Sequence, residues 1–120
     1  MTSTTIPIQS TFDIARGRNS LRTHIAAQRW TPVFGARASA ALTALGELIL
    51  YAEINNVVVV KLRIVESNEA GGIELQCAVA GETKSERFVE AQTRLRRAVD
   101  ELELEHAYNG LQITARLWMN

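Results

Sequence analysis

With 120 residues and a hydrophobic content of 47%, the chain has material for one domain (residues 1–120) around a single core. Its 13 basic residues balance 13 acidic ones, and a formal net charge of +0 excludes a whole-chain attraction to nucleic acid or to an anionic membrane. The single cysteine, Cys77, excludes an intramolecular disulfide and a thiolate metal cluster, and points to a reducing compartment.

The opening MTSTTIPIQ lacks the basic start and apolar run of a secretory signal. No segment is expected to supply the roughly 20 apolar residues of a membrane span, so the expected location is the cytoplasm. Within TTIPIQ, Ile6 and Ile8 alternate as in a short strand, and Pro7 confines that strand to a sheet edge. From Asp13, read as an N-cap, Ile14, Leu21 and Ile25 recur at helical spacing while Arg16, Arg18, Arg22 and Arg29 mostly avoid that face. RWTPVFG, with its proline and glycine, ends this helix near Arg29 and leaves Trp30, Pro32 and Phe34 in a connecting loop.

A second helix is predicted from about 36 to 53. Ala38, Ala41, Leu42, Leu45, Leu48, Ile49 and Ala52 form one stripe, while Ala40, Ala44, Leu50 and Tyr51 make the other side apolar too. A helix of that composition belongs in the middle of a fold. Two strands follow, VVVVKLRIV at 57–65 and GIELQCAVA at 72–80, joined by ESNEAG. Val58, Val60, Leu62 and Ile64 share a face, as do Ile73, Leu75, Cys77 and Val79.

A third helix starts near Ser85, with Phe88, Ala91, Leu95, Ala98 and Leu102 at helical spacing and Arg87, Arg94 and Arg97 on its polar side. LELEHAY and LQITARLW then flank Asn109-Gly110, a pair suited to a tight hairpin turn. The predicted order is β-α-α-β-β-α-β-β. It describes an α+β two-layer sandwich whose mixed or antiparallel sheet carries three helices on one face.

Several stretches carry a family likeness: DIARGRNSLRTHIAAQ, ALTALGELILYAE, and LRRAVDELELEHAYNGLQITARLW. With the element order, they resemble the histidine-kinase-like (GHKL, Bergerat) ATPase fold, in particular its small bacterial anti-sigma factor and switch serine-kinase type. In that family the second helix carries a glutamate that orients a nucleophile and, four residues on, an asparagine that coordinates Mg²⁺. Here Glu47 stands at the first position and Tyr51 at the second, where a phenol is a poor Mg²⁺ ligand. Asn55 shares that face only about 12 Å farther along the axis. In QCAVAGET, Ala78 stands at the position of the adenine-reading aspartate, and Gly81 remains of the glycines that follow it. The segment ETKSER is too short and too poor in glycine for a lid over a triphosphate.

The resemblance therefore implies a degenerate, non-catalytic member with no cofactor. It would act by binding a protein partner: a STAS-domain antagonist, a sigma factor or another component of bacterial partner switching. Candidate contact residues are Arg16, Arg18 and Arg22 on the basic side of the first helix, which suits an acidic partner, with Trp30 and Phe34 as aromatic anchors. Two alternatives stand beside it. One is an atypical ATP- and Mg²⁺-dependent serine kinase with Glu47 as base, and the other is an oligomerisation module, such as a homodimer, built through strand edges. Cys77, on the apolar strand face, is read as a small hydrophobe.

Overall fold

The computed structural model describes residues 3–52, 56–67, 70–80, 84–107 and 110–119. The elements are β1 (Ser3–Ile8), α1 (Thr11–Ala27), α2 (Pro32–Ala52), β2 (Val58–Glu66), β3 (Gly71–Val79), α3 (Glu86–Ala98), β4 (Glu101–Ala107) and β5 (Gly110–Trp118). This is the predicted order. The strands form one antiparallel sheet in the order β1-β2-β3-β5-β4, so β1, with Pro7, lies at an edge.

Strand alternation divides the sheet into two faces. Ile6 and Ile8, Val58, Val60 and Leu62, Ile73 through Val79 at every second residue, and Leu111, Ile113, Ala115 and Leu117 are buried on the face toward the helices. Leu102 and Leu104 extend that face from β4, which corrects the placing of Leu102 on the third helix. The three helices cover it, α2 lying between α1 and α3.

The helix starts explain three differences from the sequence reading. α1 begins at Thr11, and Asp13 is its third residue: the carboxylate Oδ2 accepts from the Gln9 N–H at 2.8 Å and the Ser10 N–H at 3.1 Å. A carboxylate there satisfies free N–H groups and opposes the helix dipole, so the residue works from inside the first turn rather than as the N-cap. α1 stops at Ala27, and Arg29 turns the chain with a left-handed φ of 58°. α2 begins at Pro32, since a proline costs nothing at the first helical position, and the Thr31 hydroxyl accepts from the Phe34 N–H at 3.2 Å. Phe34 is therefore a helical core residue, 2% exposed, and not part of a loop.

α3 starts where the sequence puts it, with the Ser85 hydroxyl accepting from the Phe88 N–H at 3.1 Å, Glu86 in its first turn and Arg96 and Arg97 in its last. Gly110, assigned above to the hairpin turn, is the first residue of β5, opposite Ala107, with a φ of 151°. Asn109 lies outside the described residues.

One expectation about hydropathy is corrected. α2 has the length and apolar composition of a membrane-crossing helix, yet here it packs into the fold, and less than half of its most apolar stretch is buried.

Candidate functional site

Glu47 sits three-quarters of the way along α2, on the side turned away from the sheet. Its Oε2 lies 3.8 Å from Arg94 Nη2 on α3, and both side chains are nearly half exposed. One helical turn farther, Tyr51 is 38% exposed. It lies on the same face of α2 as Glu47, while its neighbour Leu50 packs against the core.

Ala78 lies elsewhere. It is exposed on β3, opposite Gln112, on the sheet face without helices, because Cys77 and Val79 take the inward positions. The sheet separates Ala78 from Glu47 and Tyr51. Gly81 and Asn55 fall outside the described residues. Among the described residues no group of three or more His, Cys, Asp or Glu is placed to hold a metal ion.

Cys77 is 5% exposed among Leu75, Val79 and Ile113, and burial pushes its thiol up to about 12. A group whose folded pKa lies above its unfolded value stabilises the fold fully below the unfolded range, near 8.5, and loses that contribution as pH rises toward the folded value. Ellman's reagent near pH 8 is expected to leave the native protein untouched and to titrate the single thiol after denaturation. Rapid native reaction would contradict this burial.

The cationic residues of α1 divide into two kinds. Arg16 is exposed, its guanidinium 5.7 Å from the centroid of the Phe12 ring, itself 69% exposed. Arg22 is exposed as well, with Nη1 donating to Asn19 Oδ1 at 3.5 Å. Neither makes an ion pair among the described residues. Arg18 instead reaches across to α2, where Nη1 donates to Thr43 Oγ1 at 3.1 Å, so it also holds two helices together.

Arg22 and Trp30 are brought together. They line an open cleft of about 600 Å³ between the end of α1 and the start of α2, with Ile25, Ala26, Pro32 and Ser39. Trp30 is half-buried and meets Phe34 edge-to-face, with ring centroids 5.0 Å apart. Phe34 supports the cleft from the core and is not a contact residue.

A charged network on the outer sheet face escaped the sequence reading. Glu74, 5% exposed, accepts from Arg63 Nη2 through Oε1 and from Arg116 Nε through Oε2, both at 2.9 Å. Arg116 also reaches Glu103 at 3.1 Å and Glu101 at 3.5 Å, and hydrogen bonding to Glu103 leads the causes that raise its pKa. The Trp118 indole N–H donates to Glu101. Each charged residue occupies an ordinary outward position, and only the β2-β3-β5 register, Arg63 opposite Glu74 opposite Arg116, makes them partners. A scan against protein-family models gave no match, and a search of curated proteins gave none.

Proposed function

We propose that this chain is a non-catalytic regulatory domain that works in the cytoplasm by occupying a surface of another protein. The partner is the kind that the family resemblance implies: a STAS-domain antagonist or a sigma factor in a bacterial partner-switching system. The observation that carries the reading is the pair of exposed arginines on α1, Arg16 and Arg22, which have no ion-pair partner among the described residues and flank apolar surface at Phe12 and Trp30. Exposed guanidinium groups beside aromatic rings are typical of interface anchors. Glu47, by contrast, faces Arg94, and Ala78 lies on the other side of the sheet from it.

Replacing Arg22 by alanine is expected to weaken capture of the partner about tenfold, at an unchanged melting temperature, because the side chain is exposed and, among the described residues, makes one long hydrogen bond, to Asn19, and no ion pair. Arg18→Ala is expected to lower capture and stability together, since it loses the bond to Thr43. Unchanged capture with both variants would remove α1 from the interface. Calorimetric titration with ATP and ADP, with and without Mg²⁺, separates this reading from the kinase alternative. No saturable heat is expected up to millimolar nucleotide, and saturable Mg²⁺-dependent binding would reopen the kinase.

A further inference from the structure

The solvent side of α2 is a second apolar surface. Val33, Ala36, Ala40, Ala44, Glu47 and Tyr51 recur at intervals of three and four residues and so lie in one row, about 27 Å long. Val33 is 71% exposed and Tyr51 38%, Ala36 and Ala40 are exposed, and Ala44 is half-buried. Glu47, facing Arg94, is the only charge in the row. A helix with the composition of a membrane span thus leaves an almost uncharged face uncovered.

The α1 border of this face is cationic, and the α3 border is mixed, with exposed Glu90 one turn before Arg94. Arg18 and Arg22 stand on the α1 side, beside Thr43 and Ser39 of α2, and Arg94 on the α3 side. From Ser10 through Ala52 the sequence carries Arg16, Arg18, Arg22, Arg29 and Arg37 against only Asp13 and Glu47. Asp13 lies in the first turn of α1, bonded to the Gln9 and Ser10 N–H groups, which leaves its charge at the far end of that helix from Arg22. Zero net charge therefore hides a separation, with Glu101, Glu103 and Glu105 exposed on β4.

From this we infer that the outer face of α2, between α1 and α3, docks an acidic amphipathic helix of the partner protein. The inference rests on the partner-binding reading and adds where the partner sits and what chemistry it presents. An apolar stripe would lie along the alanines, which let two helix axes approach to about 8–10 Å, while carboxylates on either side meet Arg18, Arg22 and Arg94. Charge complementarity selects an acidic helix over a basic one. A bilayer is the poorer match, because lipid surfaces are held by bulky Leu, Phe and Trp side chains with lysines, whereas this row is half alanine.

The test titrates the isotopically labelled full chain, followed by amide NMR, with a synthetic helical peptide of about five turns that has a leucine stripe flanked by glutamates. Amide shifts are expected along residues 33–51 and the facing sides of α1 and α3, and a lysine-for-glutamate peptide is expected to bind about tenfold more weakly or worse. Ala40→Glu adds a good helix former at an exposed site, keeps the melting temperature and weakens binding about tenfold. Lys61→Glu, on the outer sheet face, leaves affinity within about twofold. Shifts confined to Phe12 and Arg16 or to the outer sheet face would overturn the inference, as would equal binding of the lysine peptide. Binding to anionic phospholipid vesicles without peptide binding would assign the face to a membrane, and self-association abolished by Ala40→Glu would assign it to a second copy. Either would overturn it too. A partner captured normally by the Ala40→Glu protein would sink this site and leave the binding reading standing, whereas failure of wild-type capture would sink that reading.

Discussion

Gly72→Ala is expected to lower the unfolding free energy by about 3 kcal/mol, a large loss for one methyl group. A Cβ at position 72 would press into the Leu117 carbonyl oxygen of the neighbouring strand and come within 2.7 Å of the Trp118 ring. The oxygen is main chain, held by the pairing of β3 with β5, so it cannot give way as a side chain would. Gly71→Ala provides the control: the atoms nearest its Cβ belong to the Trp30 side-chain ring, from 3.2 Å, and the expected cost is below about 1 kcal/mol. Urea denaturation followed by circular dichroism measures both, and equal midpoints would refute the steric argument.

Removing Glu74 is expected to cost nearly as much, about 2–3 kcal/mol for Glu74→Ala. Breaking a fully buried ion pair costs about 3–5 kcal/mol because the partner charge is stranded, and the discount here comes from water that still reaches the arginines. The Arg63 side chain is 39% exposed and that of Arg116 25%, against 6% for Glu74. Glu101→Ala serves as the comparison, since that carboxylate is exposed and meets Arg116 at 3.5 Å; its loss is expected to change stability by less than about 1 kcal/mol. If Glu74→Ala unfolds at the wild-type urea concentration, the network contributes nothing to the fold.

Some of this is legible in the sequence. The alternation Ile73, Leu75, Cys77, Val79 marks its buried face because a strand has a period of two, and Ser85 with Glu86 marks a helix start because free N–H groups need acceptors. Pro32 misleads for a physical reason: the same ring that breaks a helix interior suits a helix start, and the two differ only in whether Thr31 caps. The side taken by Tyr51 depends on which sides of α2 its neighbours cover, a tertiary fact that an all-round apolar helix does not encode. The Glu74 network needs the β3–β5 register, set by strands with α3 and β4 between them in the chain. Among the candidate contacts, the arginines of α1 stand out in the sequence, as does the gathering of acids in DELELE, whereas the contact of Arg18 with Thr43 and the cleft shared by Arg22 and Trp30 emerge only on folding.

The sheet order also has a bearing on how the chain is made. β2 with β3 and β4 with β5 are hairpins between neighbours in sequence, whereas β1 must close a loop of about 50 residues to place Ile8 opposite Val58. The amino-terminal half, through α2, is therefore synthesised before the strands that cover it. Ile6, Ile8, Leu42 and Leu45 have no sheet to pack against until the strands that follow have been synthesised. Translation speed and holding chaperones thus bear on the yield of folded protein through this half of the sequence, ahead of the carboxy-terminal hairpin that completes the sheet.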